Sequence, residues 1–546
     1  MLKVLIIGGV AAGTKIAAKI KRERRDSEVL ILTKGADISY AGCGLPYYVG
    51  NVIKTRDELV VNTPKAFMEL TGAVVRTGVE VIALDRASKQ VTAVDLSTGE
   101  EFTQAYDKLV IATGASPVVP NCEGLELENV FFMRTPDNAD ALRKKVDAGE
   151  IKRAVVVGGG LIGLEVAENL ADRGVKTSVI DFAPHVLSEM LDPEISEYIE
   201  NAMAEAGVIP LTGVGLTGIT GQGKVEKVLT SRRPMKADAV VLAMGFRPNT
   251  KFLEGTGLEM SKGTILVDEY LRTNDPDIYA AGDCALVTNR TTGARQWSAM
   301  GSTANISGRL AAMHMAGAEQ ITPYPGVLGT GIAKLPGINM ARTGMTEAAA
   351  KKAGYDVETV VTVTDDKAHY YPGADIFLTK MICDKNSNQL LGIQVLGKGA
   401  VDKMADIAVT AVSLKAKLED LQNCDFSYTP PFSTAIHPFA VTVNVLLNKL
   451  SGSFETITPA EYSAGGAEGY RIVDCSIQPT LSGAAYLDLT AIEGPIEGFA
   501  PDEKLLLVCS KGKRAYLVQN RLKFHGYTNT RVLEGGTLFN TGIRVE

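Results

Sequence analysis

Short apolar runs alternate with helical periodicity along most of the chain. Lys3 to Ile7 reads as a buried strand, Thr14 to Arg25 as a helix, and Val29 to Thr33 as a second strand. The same order recurs further on: Val155 to Val157 as strand, Leu164 to Asp172 as helix, Lys176 to Ile180 as strand. From Gly329 to about residue 452 the pattern is mixed. Strand-like Asp375–Ile382 and Leu391–Gly397 precede a long helical stretch predicted from Ala400 to Lys417. A small, polar stretch around 453–466 reads as a linker. Beyond it, Arg471–Asp474 and the wholly apolar end of Lys504–Val508 read as strands, with a helix to about His525. No apolar run approaches the ~18 residues of a membrane span. The start of the chain lacks a cleavage signal, which argues against a secretory leader.

Glycines punctuate these elements. Gly8-Gly9-Val10-Ala11-Ala12-Gly13 joins the first strand to its helix, the layout in which a helix N-terminus receives a pyrophosphate. Val10 stands where the middle glycine of that motif belongs, and Thr33 where an acidic ribose ligand belongs. The second loop, Gly158-Gly159-Gly160-Leu161-Ile162-Gly163, is complete, and its following strand ends at Asp181. An acid there accepts from a ribose 2′-hydroxyl and favours NADH over NADPH without deciding between them. A third feature is Ala281-Gly282-Asp283, which reads either as a strand-end carboxylate for a ribose or ribitol hydroxyl or as a turn aspartate capping a helix.

Composition narrows the class. The chain has 546 residues, enough for three or four domains at ~150 each. Glycine, at 55 residues, is in excess of the usual ~7%. With 56 basic and 63 acidic residues the net charge is −7, which disfavours bulk nucleic-acid binding. Seven cysteines spread over this length form no secreted disulfide framework and predict a reducing, cytoplasmic setting. No metal site is assigned. Two cysteines stand out, Cys43 in Ser39-Tyr40-Ala41-Gly42-Cys43-Gly44-Leu45-Pro46 and Cys509 in Cys509-Ser510-Lys511-Gly512-Lys513-Arg514; the other five read as packing. Cys509 follows a buried strand and precedes a helix, so backbone N–H groups and Lys511, Lys513 and Arg514 would surround its sulfur.

Taken together, residues 1 to about 452 resemble the FAD-dependent pyridine nucleotide–disulfide oxidoreductases, through Gly8–Gly13, Ala112-Thr113-Gly114, Gly158–Gly163, Met244-Gly245-Phe246-Arg247-Pro248-Asn249 and Ala281-Gly282-Asp283. The segment around Cys43 resembles the single-cysteine branch, which holds coenzyme A-disulfide reductases, persulfide or polysulfide reductases, and NADH oxidases and peroxidases. That resemblance implies an α/β flavoprotein with two Rossmann-like dinucleotide-binding domains and an α+β dimerisation domain. FAD-binding residues would lie in 1–115 plus 245–325, the NAD(P)H domain in 116–244, and the dimerisation domain in 326–452. FAD would be held by Gly8, Gly9, Gly13, Gly282 and Asp283, and NADH or NADPH by Gly158, Gly160, Gly163 and Asp181; Lys34, Thr113, Gly114 and Gly245 would also bind a cofactor. Coenzyme A phosphates would meet Lys19 and Arg22, with Ser39 also at the substrate; a solvated helix face is the ordinary reading of those two cations. Two departures stand out: Gly42 replaces the branch's asparagine, and Ala11 the histidine of its peroxidases and oxidases.

Glutathione-reductase-like relatives use a Cys-x4-Cys pair, whereas the next cysteine after Cys43 is Cys122. The second sulfur must therefore come from substrate, or Cys43 must cycle through sulfenic acid. A helix start beside a flavin is expected to lower the Cys43 pKa. By the same resemblance Tyr428 and Tyr370 would approach the partner subunit's cysteine in a homodimer and donate to a leaving thiolate. Residues 467–546 resemble a rhodanese domain, with Glu534-Gly535-Gly536 as its late turn, although Asp474-Cys475-Ser476 stands in place of Asp-Val-Arg. The expected function is NAD(P)H-dependent reduction of coenzyme A disulfide or of coenzyme A persulfide or polysulfide. The alternatives are an NADH oxidase and a persulfide-carrier protein.

Overall fold

The structure, a computed structural model, describes residues 1–543. It falls into two compact units, Met1–Pro184 with Gly207–Val327, and His185–Ala206 with everything from Leu328 onward.

The first unit contains two five-stranded parallel sheets. One runs in the order Ile278–Ala280, Lys108–Ile111, Lys3–Ile7, Glu28–Thr33, Val74–Thr77. The other runs Ile209–Leu211, Lys176–Ile180, Arg153–Val157, Ala239–Leu242, Val130–Phe132. In each sheet the central strand is almost wholly buried and feeds a glycine loop and then a helix, Ala11–Glu23 or Leu161–Asp172. Apolar runs without alternation are what a sheet covered on both faces requires. A short antiparallel ribbon, Ala115–Pro117 against Phe246–Pro248, ties the two crossings of the chain together.

The second unit holds an antiparallel sheet in the order Gly331–Leu335, Ile338–Gly344, Leu390–Gly397, Ile376–Asp384, Val357–Asp365. The helices Val401–Ser413 and Pro438–Leu450 share its core. The helical stretch predicted from Ala400 to Lys417 stops early, because Lys415 turns left-handed at φ 55°. Lys380 is 2% exposed, and its ammonium lies 3.1, 2.5 and 2.7 Å from the carboxylates of Asp192, Glu194 and Glu347. Burial alone would discharge that lysine; the three carboxylates hold its pKa above the ordinary value instead. Asp192 and Glu194 explain a correction to the expected 116–244 domain: residues 185–206 belong with the second unit because their acids neutralise its buried cation.

A second correction concerns the expected linker at 453–466. Thr456–Ile457 is an edge strand of a C-terminal parallel sheet, and Thr458 caps the helix Pro459–Ser463 through a reciprocal box with Glu461. That sheet runs Thr456–Ile457, Thr530–Leu533, Leu505–Val508, Arg471–Asp474, Ala485–Tyr486, every pair parallel. The polar composition of 453–466 suits an exposed sheet edge as well as a tether. The last residues of the expected C-terminal domain, 544–546, lie outside the described residues.

Candidate active site

Two glycine cradles open at the ends of the two parallel sheets. A Cβ on Gly8 (φ 109°) would sit 2.1 Å from the Ala112 carbonyl oxygen, and one on Gly13 would sit 1.9 Å from that of Gly8. The second loop repeats this: Gly158 (φ 115°) faces the Ala243 carbonyl at 2.2 Å, and Gly163 that of Gly158 at 2.0 Å. Only glycine permits such an approach of loop, strand and helix, and the resulting helix N-termini present unshared N–H groups to an anion. The residues present therefore fit a dinucleotide at each loop. At Gly160 a Cβ would meet nothing within 4 Å, so space remains over the second loop. Asp181 lies at the end of its strand as expected, and its carboxylate accepts the Gly159 N–H at 2.6 Å and the Ala183 N–H at 2.8 Å.

The flavin-type residues converge on the first loop. Gly282 is left-handed (φ 77°), and a Cβ there would come 3.2 Å from that of Ala12, so Asp283 follows a residue set close against the first loop. No helix follows Asp283; the next element is the strand Ala285–Thr288, so the capping reading falls. Its carboxylate accepts from Arg134 at 3.0 Å, and its carbonyl from the Trp297 indole at 2.7 Å. Thr113 and Gly114 are fixed by Asn249, which donates its side-chain amide to the Thr113 carbonyl and its backbone N–H to the Gly114 carbonyl, both at 3.0 Å. Gly245 turns left-handed at φ 93° and accepts the Val118 N–H at 2.9 Å. Ser39 ties the Cys43 segment to the first loop: left-handed at φ 48°, it donates its N–H to the Gly9 carbonyl and accepts that of Val61.

Cys43 sits in a tight turn, Gly42–Gly44, that leads into the short helix Leu45–Val49. That helix is pressed onto Leu161–Asp172, since a Cβ on Gly50 would meet the Asn169 amide oxygen at 2.0 Å. The packing carries Tyr47 to Glu165, whose carboxylate accepts the phenol at 3.1 Å. The Cys43 side chain is exposed. Its pKa is nevertheless raised above the usual thiol value, opposite to the expectation from sequence. Protein packed around the sulfur withholds part of its water, Glu165 and Asp283 repel a thiolate, and Arg134 offsets them only partly. Burial likewise lifts the Glu165 carboxyl to about 7, against the Tyr47 hydrogen bond that favours its charge. Arg134 and Glu165 lie in no glycine or cysteine signature; Tyr47 belongs to the segment around Cys43, but its pairing with Glu165 is not legible there.

The remaining expected residues divide. Lys19 is paired with Glu23 on its own helix, and Lys34 donates to Glu80 at 2.9 Å. Arg22 is exposed near the end of the first helix. In the second unit, Tyr428 and Tyr370 are 47% and 66% exposed, and the proximity of Tyr370 raises the pKa of Tyr428. Cys509 is buried, and the Ala515 N–H at the start of the helix Lys513–Phe524 donates to its sulfur at 3.4 Å. Two of the three cations expected around it are already neutralised: Lys511 pairs with Asp365 at 2.5 Å and Arg514 with Asp488 at 2.8 Å. The five cysteines read as packing also need correction, since Cys424 is exposed and Cys122 half-buried; Cys284, Cys383 and Cys475 are buried. The two outside the core stand in polar contexts, Asn121-Cys122-Glu123 and Asn423-Cys424-Asp425, which could have marked them.

Against known proteins, residues 2–309 match the family described as pyridine nucleotide-disulphide oxidoreductase, and residues 334–440 match its dimerisation domain. A Methanocaldococcus jannaschii protein named NADH oxidase is 33% identical over 450 residues, 82% of this chain and 100% of its own length. A Pyrococcus horikoshii protein named NAD(P)H coenzyme A polysulfide/persulfide reductase is 34% identical over 445 residues, 81% of this chain and 98% of its own. The solved structure of a NAD-dependent persulfide reductase from A. fulgidus superposes with a TM-score of 0.93 at 34% identity, covering 98% of this chain and 100% of its own.

Proposed function

The chain belongs to the pyridine nucleotide-disulphide oxidoreductases, a family that uses FAD and NAD(P)H, and from that premise we propose that it reduces coenzyme A disulfide or a coenzyme A-linked persulfide through Cys43 alone. Bound FAD, reduced by NAD(P)H, supplies the electron pair for the site. Its binding residues are the first glycine loop, Thr113, Gly114, Gly245 and Asp283; the second loop and Asp181 take the nicotinamide dinucleotide. The observation that carries the reading is an exposed cysteine beside Tyr47, Glu165, Arg134 and Asp283, with no second cysteine in its segment.

The Cys43 thiolate attacks one sulfur of a substrate disulfide, forming a Cys43–substrate disulfide and expelling the other half as thiolate. With a persulfide the same attack expels hydrosulfide, so both substrates converge on one mixed disulfide. Two electrons and a proton then cleave that bond, returning Cys43 to thiolate and releasing the second thiol. Glu165, with a carboxyl near 7, holds or yields a proton close to the departing sulfur at neutral pH. Tyr428 and Tyr370 serve the cysteine of the partner subunit in a homodimer, and Lys19 and Arg22 meet coenzyme A phosphates once Lys19 leaves Glu23. The C-terminal sheet with Cys509 is a rhodanese-like module that holds sulfane sulfur.

Parallel measurements of NADH oxidation with coenzyme A disulfide, coenzyme A persulfide, inorganic polysulfide and oxygen test the proposal. Turnover is expected with the sulfur substrates and is lost in Cys43→Ser. Rapid turnover with oxygen alone, unaffected by sulfur substrates, would assign the chain the activity in the M. jannaschii protein's name instead.

A further inference from the structure

The two cysteines of the C-terminal sheet lie side by side. Arg471–Asp474 and Leu505–Val508 are neighbouring parallel strands with Asp474 opposite Val508, so the next residues on each strand, Cys475 and Cys509, come opposite one another. The Cys475 N–H donates to the Val508 carbonyl at 2.7 Å, which extends the ladder to that position. Adjacent strands are spaced ~4.8 Å apart, and residues in register on them point to the same face. That spacing falls inside the Cα–Cα range of about 4.4–6.8 Å that a disulfide spans.

Both thiols belong to one buried cluster, with exposures of 0% and 3%. The chain around Cys475 is held firmly: the Asp474 carboxylate accepts the backbone N–H groups of Ser476, Thr480 and Leu481 at 2.9, 2.5 and 2.9 Å. Burial raises the Cys475 pKa, and the charge of Cys509 raises it further, a sign that each sulfur feels the other. Cys475 therefore rests as a neutral thiol, with the Cys509 sulfur as its electrostatic neighbour.

We propose that Cys475 is a resolving thiol for Cys509, so that the two form a dithiol–disulfide couple inside the C-terminal domain. This rests on the sulfane-sulfur reading of Cys509 for its substrate, though not for its geometry. When Cys509 carries a persulfide, the Cys475 sulfur attacks the inner sulfur, Cys509 Sγ. The Cys475–Cys509 bond forms, the S–S bond to the outer sulfur breaks, and that sulfur leaves as hydrosulfide with the Cys475 proton. The persulfide is reduced by two electrons and the thiol pair is oxidised by two. A hydroperoxide reaches the same end point: it oxidises Cys509 to sulfenic acid, and Cys475 displaces water. An external thiol restores the pair by exchange. The domain would thus release sulfide once per loading and then stop until it is re-reduced.

Trypsin separates the two cysteines, since it cuts after Lys504, and so makes the couple readable by mass spectrometry of the full-length holoenzyme. The protein is fully reduced, desalted, and treated with inorganic polysulfide or with hydrogen peroxide. In the wild type both reagents are expected to give a reducible cross-link between the Cys475 and Cys509 peptides, and polysulfide also to release about one sulfide per chain from this domain. The Cys43→Ser background removes the sulfide contributed by the other site. In Cys475→Ser, and in Cys475→Val as an apolar replacement for an apolar site, Cys509 should instead retain an extra sulfur. A cross-link with peroxide but no loading by polysulfide would uphold the couple and overturn the sulfane-sulfur reading of Cys509. A stable Cys509 persulfide in the wild type, or no cross-link with either reagent, would overturn the proposal.

Discussion

Replacing Glu165 by glutamine tests the electrostatics of the Cys43 site directly. The carboxyl is raised to about 7, so above neutral pH the wild type carries an anion there that repels a Cys43 thiolate. Glu165 lies on the helix against which the segment after Cys43 packs, and packed elements sit ~8–10 Å apart. Two unit charges about 8 Å apart interact by roughly 0.5 to 2 kcal/mol for effective dielectrics of about 80 to 20. At ~1.4 kcal/mol per pH unit, Glu165→Gln should lower the Cys43 midpoint by about 0.4 to 1.5 units. The assay is the rate of iodoacetamide alkylation of Cys43 in oxidised holoenzyme from pH 6 to 10, with Cys43→Ser as the blank. The wild-type profile should also bend near pH 7, where Glu165 ionises, and the bend should vanish in the variant. Stability depends on the same proton. The unfolded carboxyl titrates near 4.5 and the folded one near 7, so the folded state binds the proton more tightly and stability falls as pH rises between them, by about 3 kcal/mol. The glutamine variant lacks that loss. An unchanged or higher Cys43 midpoint in Glu165→Gln would refute the assigned role of the carboxylate.

Three further outcomes follow from named contacts. Gly13→Ala forces a methyl to within 1.9 Å of the Gly8 carbonyl and should cost about 1–3 kcal/mol in the loop, seen as loss of flavin absorbance per chain after gel filtration; full flavin retention would contradict the tight cradle. Asp181→Ala removes the carboxylate at the second loop and should lower kcat/KM for NADH about 10- to 100-fold, as expected for a charged hydrogen bond of ~1.5–3 kcal/mol, while NADPH gains relative to NADH; equal losses with both would make Asp181 a support of the loop alone. Burial holds the His437 pKa down to about 4, with Lys403 adding to the effect, while its Nδ1 accepts the Phe439 N–H at 3.2 Å and caps the helix Pro438–Leu450. The unfolded histidine titrates near 6.5, so stability is full above that pH and falls by about 3 kcal/mol as pH drops toward 4. Urea unfolding followed by circular dichroism should show a shallower acid loss in His437→Asn, and identical slopes would exclude His437 as its source.

Much of the dinucleotide architecture was legible because its signals are backbone signals. Gly8, Gly13, Gly158 and Gly163 are constrained by carbonyl oxygens about 2 Å from any added Cβ, and such constraints leave glycine as the only choice. The strand–loop–helix units around them were found within a few residues of their ends. Residues whose roles arise from packing were not legible. Tyr47 meets Glu165 because Gly50 lets one helix settle on Asn169 of another, and Arg134 reaches Asp283 from a separate stretch of chain; no local pattern encodes either meeting. The same limit explains residues 185–206, which follow the second dinucleotide loop in sequence but supply Asp192 and Glu194 to Lys380. It also explains why Cys475 passed for a packing residue. Its significance lies in the register between two strands some thirty residues apart.

Cys43 and Cys509 solve opposite electrostatic problems. Cys43 is open to substrate but flanked by Glu165 and Asp283, so its thiolate is disfavoured until something at the site offsets those charges. Such a thiol stays quiet at rest and becomes reactive when the site is complete, which suits a cysteine whose product must be reduced at once. Cys509 is closed to bulk solvent and receives a backbone N–H from the start of a helix, while the nearby side-chain cations Lys511 and Arg514 are already committed to Asp365 and Asp488. A sulfur held by fixed dipoles keeps its environment whether or not it is loaded, and so suits storage of a sulfane sulfur more than rapid exchange. On the proposed couple, the neighbouring Cys475 thiol would limit how long such a store lasts. The two sites differ in kind, and each should be inactivated without loss of the other's thiol chemistry.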